Sequence, residues 1–346
     1  MHCGVNCNAV VMVETNKGLR NRELLLSVIV PVHNVERYLS DCVESLVAQS
    51  MAEQMEVILV ENGSTDSSEA LCRRLAATYP MVRVVVSDMV GLSAARNFGV
   101  SHARGKLVGF VDSDDYVEPE MFSCLVDAKL STGADIAYCN YMLEYDDGRC
   151  ERPFPDTGNV VVRSVADVVG DIIAERSTSS SCVRIYNRDF FNSRQFPVGE
   201  YYEDHSTVYR WMSEMQRIVH VDSALYHYRM RSGSITSTTN SNTKKILDFF
   251  NADYGRMEFA GSYAGFSRRQ RNDAMRHIVR NLMRHMRDYI VAGATDGEND
   301  KLLAYMRMQC RQALALPMPV VGFGAWRRLR HMAYFWHSYY SHYARR

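Results

Sequence analysis

Apolar and polar positions in the first part of the chain alternate between two rhythms. Leu24 to Val32 is a leucine-rich, β-branched run, and Tyr38, Leu39, Cys42, Val43 and Leu46 follow it at helical spacing. That predicts a strand and then a helix. Val57 to Val60 repeats the strand pattern and stops at Asn62-Gly63. Ser64 to Ser68 then offers N-cap candidates ahead of Ala70, Leu71 and Leu75. Val82 to Val86, a helix over Ala94 to Ala103, and a strand over Leu107 to Val111 complete the series. Strands that are apolar throughout and alternate with helices predict an α/β fold, with a mostly parallel sheet covered on both faces. Ligands of such sheets bind beyond the carboxyl ends of the strands. The polar groups His33-Asn34, Glu61-Asn62 and Asp112 to Asp115 all fall at those ends.

From Ala134 the alternation gives way to longer strands and loops, with Pro153, Pro155 and Gly158 in an exposed turn region. After the polar stretch Ser232 to Thr243 the pattern is helical over Ile246 to Phe250, Met275 to Ile290 and Leu302 to Leu316. The expected organisation is a loose extension over 1–23, an α/β domain over 24–236 that divides into 24–130 and 131–236, and a mainly α-helical region over 237–346.

Composition narrows the function. Forty basic and forty acidic residues cancel, so no overall field points to nucleic acid. Nine scattered cysteines resemble neither a disulfide framework nor a paired zinc motif, and a reducing cytoplasm fits them best. The first residues lack the continuous apolar stretch of a signal peptide, and no run reaches the roughly 18 apolar residues of a spanning helix. No GxGxxG or phosphate-binding P-loop follows a strand, which disfavours dehydrogenases and kinases.

The strongest chemical signal is Phe110-Val111-Asp112-Ser113-Asp114-Asp115, three carboxylates delivered by one apolar strand. A divalent cation is the simplest way to offset their repulsion, and hard oxygen ligands suit Mg²⁺ or Mn²⁺. Glu203 and Asp204 form a second acidic pair, among Tyr201, Tyr202, Tyr209 and Trp211. They read either as a desolvated general base or as acidic residues favouring a helix N-terminus. Arg229 and Arg231, two apart on a strand-like segment, share a face, which suits either a diphosphate or solvent. Arg96 stands in the first turn of a helix after Gly91, where a cation opposes the helix dipole and implies a negative partner.

Taken together, Ser27 to Asn34, Val60 to Asp66, Gly91 to Gly99, Phe110 to Tyr116, Tyr202 to Asp204 and Tyr226 to Ile235 resemble the family 2 glycosyltransferases, whose nucleotide-binding fold is called GT-A. The resemblance covers roughly residues 24–236. It implies an inverting transfer of a sugar from a nucleotide-sugar, a UDP-sugar first, to an acceptor hydroxyl during synthesis of cell-surface polysaccharide or glycan. By that resemblance Asp204 is the general base assisted by Glu203, Asp114 is the ligand of Mn²⁺ or Mg²⁺, and Asp112 and Ser113 lie nearer ribose and sugar. Pro31, Val32, His33, Asn34, Glu36 and Asn62 belong to the nucleotide site, with Arg96, Arg229 and Arg231 on the donor side. Three positions depart from the family pattern. His33 stands where tyrosine is usual, Asn62 where aspartate commonly reads the base, and Met89 where asparagine is frequent.

These departures keep a second function in view, a catalytically inactive nucleotide-sugar-binding protein of the same fold. A sugar nucleotidyltransferase would want a glycine-rich basic loop after the first strand, and Pro31 to Asn34 is neither. Acceptor choice, whether glycan or lipid-linked, is expected in the loops between Glu144 and Ser181. Residues 322–346 combine Arg327, Arg328, Arg330, Arg345 and Arg346 with eight aromatics and no acid. Two readings stand for this segment: contact with the cytoplasmic face of a membrane, or a helix packed on the domain with solvated arginines.

Overall fold

The computed structural model describes residues 24–231, 242–291, 297–314 and 323–334. The extension 1–23, with Cys3 and Cys7, lies outside them. Four apolar runs form β1 (Leu26–Val32), β2 (Met55–Glu61), β3 (Val82–Val86) and β4 (Leu107–Phe110). Every side chain of β1, β2 and β4 is buried, which is why these strands read as continuous apolar runs. The crossovers carry α1 (Leu39–Val47), α2 (Ser68–Thr78) and α3 (Leu92–His102). In α1 the buried positions Leu39, Cys42, Val43 and Leu46 give one apolar stripe. Helix α3 approaches the sheet at Gly99, where a Cβ would overlap Ile29 and lie 3.0 Å from Val60.

The remaining strands are β5 (Tyr116–Val117), β6 (Ile136–Tyr145), β7 (Cys150–Glu151), β8 (Val160–Arg163), β9 (Arg184–Asn187) and β10 (Ile218–Met230). All join one sheet, in the order β3-β2-β1-β4-β9-β6-β10-β5, with β7 on β6 and β8 on β10. The sheet is therefore mixed, not mostly parallel as the alternating pattern suggested. Strand β1 runs parallel to β2 and β4, β2 to β3, and β6 to β10, but β5, β7, β8 and β9 pair antiparallel. These four are two to four residues long, too short for a periodicity to register. Among them β9 matters most, because it enters between β4 and β6 and joins the two halves of the sheet.

Helices α4 (Met121–Thr132), α5 (Val165–Ile173) and α6 (Glu203–Ser213) cover the second half. The chain then continues as α7 (Thr243–Ser262), α8 (Arg268–Val291), α9 (Gly297–Ala313) and α10 (Phe323–Tyr334). In α10 Leu329 and Ala333 are buried and Trp326 packs on the core, while Arg327, Arg328 and Arg330 are exposed. Residues 335–346, which complete the basic aromatic segment, lie outside the described residues. Among the described residues no helix is long and apolar enough to cross a membrane.

Candidate functional site

Strand order reverses at β1, with β2 and β3 on one side and β4 on the other, so a crevice opens beyond the carboxyl ends of β1 and β4. The residues after β1, β2 and β4 meet there. Asn34 adopts a left-handed φ of 53°. Its Oδ1 accepts from Thr65 N at 2.7 Å, and His33 Nδ1 donates to the Asn62 carbonyl at 2.9 Å. Glu36 accepts from Ser67 N at 2.8 Å, at the N-terminus of α2. These three thus hold the loop after β2, and His33, Asn34 and Glu36 are themselves exposed. Pro31 and Val32, by contrast, point into the core as members of β1.

Asn62 is buried, and both ends of its amide are engaged: Nδ2 donates to the Met89 carbonyl at 2.6 Å, and Oδ1 accepts from Gly91 N at 2.7 Å. It ties the loop after β3 to the loop after β2. Its amide oxygen thereby closes the turn into α3.

The acidic triple is resolved differently from the expected cation-centred cluster. Each carboxylate has its own partner. Asp112 Oδ1 accepts from Arg96 at 2.9 Å, and Asp114 Oδ2 accepts from Arg231 Nε at 2.7 Å. Asp115 turns inward, accepting from the Tyr226 hydroxyl at 2.6 Å and from Arg229 N at 2.8 Å. Burial, reinforced by Asp114 and Asp112, pushes the Asp115 carboxyl well above the ordinary range. It is a structural acid rather than a ligand. The second partner of the pairing β5–β10, His227 against Tyr116, brings Arg229 and Arg231 over the site. Arg229 pairs with Asp41 at 2.9 Å, and both guanidinium groups face the Tyr38 ring, at 5.6 and 5.3 Å. Ser113 is buried.

Arg96 organises the centre. It is 1% exposed, and its guanidinium reaches Asp112, Glu203 and Asp204, the last at 3.2 Å. The rings of Phe196 and Phe110 flank it at 5.4 and 6.0 Å. The negative partners that Arg96 meets among the described residues are the protein's own carboxylates. Burial alone would lower its pKa, but Asp204 and Asp112 reverse this and raise it well above the usual value. Three carboxylates around one guanidinium leave an excess of negative charge. Burial, against the pull of Arg96 and with the push of Asp204, raises Glu203 to about 7.

Asp204 is part-exposed and is held by Ser181, from N–H at 3.0 Å and from Oγ at 2.8 Å. Glu203 and Asp204 open α6 directly after Tyr202, whose φ of 61° is left-handed. Cys182 Sγ accepts from Arg96 at 3.6 Å. Ser181, Cys182 and Tyr226 were not foreseen as site residues, although Tyr226 heads one of the family-like motifs and Ser181 ends a serine-rich stretch.

As to a metal, Asp112 and Asp114 each have one carboxylate oxygen bonded to an arginine, and a hard divalent cation accepts one or two carboxylates plus diphosphate oxygens. The donor set fits on those terms. Among the described residues no group of three or more His, Cys, Asp or Glu side chains is arranged to hold an ion by itself.

The description of glycosyl transferase family 2 matches residues 27–157. The chain is 32% identical over 223 residues to the glycosyltransferase GlyG of Streptococcus pneumoniae, covering 62% of this chain and 73% of that one. The chain belongs to glycosyl transferase family 2. Its fold is shared with S. aureus TarS 1–349 in complex with UDP-GlcNAc, at a TM-score of 0.57 and 19% identity over 91% of this chain and 92% of that one. It is shared too with the mannosyltransferase PcManGT from Pyrobaculum calidifontis in complex with GDP-Man and Mn2+, at a TM-score of 0.55 and 17% identity over 90% and 87%.

Proposed function

We propose that this chain is a metal-dependent inverting glycosyltransferase that takes a sugar from a UDP-sugar and passes it to an acceptor hydroxyl. The single observation that carries the proposal is the Arg96 bridge, which ties Asp112 at the donor end of β4 to Asp204 at the start of α6. On this reading a donor-side acid and a base candidate are held by one guanidinium. The acceptor oxygen forms its bond to the anomeric carbon as the bond to the diphosphate breaks, and Asp204 takes the acceptor proton. Glu203 shares the Arg96 guanidinium with Asp204 at the first turn of α6.

Asp114, with Asp112, would hold Mn²⁺ or Mg²⁺, which when bound neutralises charge on the leaving diphosphate. Arg231 and Arg229 supply cationic groups on the same side. On this reading residues 24–130 form the nucleotide-binding half, 131–236 the acceptor half, and 237–346 a helical region. The acceptor is a glycan or a lipid-linked glycan, in the building of cell-surface polysaccharide. The inactive-binder reading has one observation on its side: the Asp204 carboxylate is already occupied by three donors, one from Arg96 and two from Ser181.

Calorimetry of UDP binding with and without Mn²⁺ tests the donor site. Metal-dependent binding that vanishes in Asp114→Ala is expected; UDP failing to bind a folded protein with Mn²⁺ present would refute the UDP assignment. Release of UDP from UDP-sugars, absent in Asp204→Asn, separates the enzyme from the inactive binder.

A further inference from the structure

The turn that carries the acidic pair is gripped from behind by a helix of the C-terminal region. Lys244 Nζ donates to the Gly199 carbonyl at 3.0 Å, and Tyr201 N donates to Asp248 Oδ2 at 3.0 Å. Phe249 stacks on the Tyr202 ring at 4.2 Å, with the planes 19° apart. Tyr202 is the left-handed residue immediately before Glu203. On the other side of the acidic pair, His205 Nε2 donates to Asp253 Oδ1 at 2.8 Å, and Arg256 Nε donates to the His205 carbonyl at 2.9 Å. Asp253 is fully buried, and its second oxygen accepts from His285 of α8 at 2.9 Å. Burial opposes ionisation of Asp253, but the two imidazoles overcome this and hold its carboxyl well below the usual range.

An apolar seam would pack α6 against α7 equally well. The seam here combines that aromatic stack with buried, directional polar contacts, on both residues that flank Glu203-Asp204. A non-glycine residue in the left-handed region persists only where its surroundings over-determine it, and α7 supplies that constraint. A satisfied buried network of this kind selects one arrangement over its neighbours.

We propose that α7 sets the orientation of Asp204, with Asp253 and Phe249 as positioning residues for the base. The inference rests on the reading of Asp204 as the base. It goes beyond that reading in giving the helical C-terminal region a part in the reaction.

The test uses Asp253→Asn, because an asparagine oxygen can serve one of the two imidazole donors while its amide group opposes the other. Phe249→Leu is the companion variant, milder and expected to fold. The readout is amide hydrogen exchange at Ser181, whose N–H is bonded to Asp204 and lies on a different segment. In either variant the Ser181 amide is expected to exchange roughly tenfold faster, with the amides of Val28 and Ile58 in β1 and β2 unchanged. The kcat for UDP release should fall while the Kd for UDP with Mn²⁺ holds. Unaltered Ser181 protection in a folded variant overturns the proposal, as does an equal rise in the β1 and β2 amides. Should Asp204→Asn release UDP at the wild-type rate, the base assignment fails separately, and the exchange result still decides whether α7 positions that side chain.

Discussion

Replacing Glu203 by glutamine should change how stability depends on pH. In the unfolded chain this carboxyl titrates in the ordinary glutamate range, whereas in the folded chain it is raised to about 7. The folded state therefore keeps a proton that the unfolded state has released. That proton's contribution is fully present below the unfolded pKa and is lost as pH rises through the folded one. Between pH 5 and pH 8 the wild type loses about 2–3 kcal/mol through this group alone. Glutamine has no such proton to lose and retains the shape of the protonated acid beside Arg96. Urea denaturation of both proteins at pH 5 and pH 8 should show the stability difference moving about 2–3 kcal/mol in favour of Glu203→Gln at the higher pH. Differences between the two proteins cancel the contributions of acids elsewhere, such as Asp115. A constant difference would refute the reasoning, because it would mean that Arg96 keeps Glu203 ionised throughout.

Two further substitutions probe the scaffold of the site. Gly99→Ala forces a methyl group against Ile29 and Val60 where α3 meets the sheet; a loss of about 1–3 kcal/mol in denaturant unfolding is expected. Asn62→Asp restores the residue common in the family but sets a carboxylate against the Met89 carbonyl, which now accepts from Asn62 at 2.6 Å. A loss of about 1–3 kcal/mol and faster proteolysis within 87–91 should follow.

Much of the first half of the sheet was legible because β1, β2 and β4 are buried on both faces. Val82–Val86 is bounded as the apolar run suggested, and Leu107–Phe110 ends one residue short of it. The serine run predicted the start of α2, and the three helical stretches after residue 243 correspond to α7, α8 and α9. What escaped the sequence was pairing. Nothing in Arg184-Ile185-Tyr186-Asn187 announces a strand that runs antiparallel to both β4 and β6. The acidic triple was seen, but its division was not. Asp115 is set apart from Asp112 and Asp114 by Tyr226, a residue 111 positions away. Similarly, Arg96 was visible as a cation in search of an anion, yet its anions come from α6 and β4, and only the fold brings these together.

The Arg96 bridge bears on how such a molecule can be rebuilt. Helix α3 belongs to the first half of the sheet and α6 to the second, so a guanidinium rooted in one half is neutralised mainly by acids of the other. A fragment ending near residue 130 would leave Arg96 with Asp112 alone and without the Phe196 ring that covers it. Grafting a foreign second half would cost it Glu203 and Asp204, unless the graft brought a carboxylate pair at the head of its own helix. The two halves are joined by charge as well as by chain, and any exchange between relatives must respect that join.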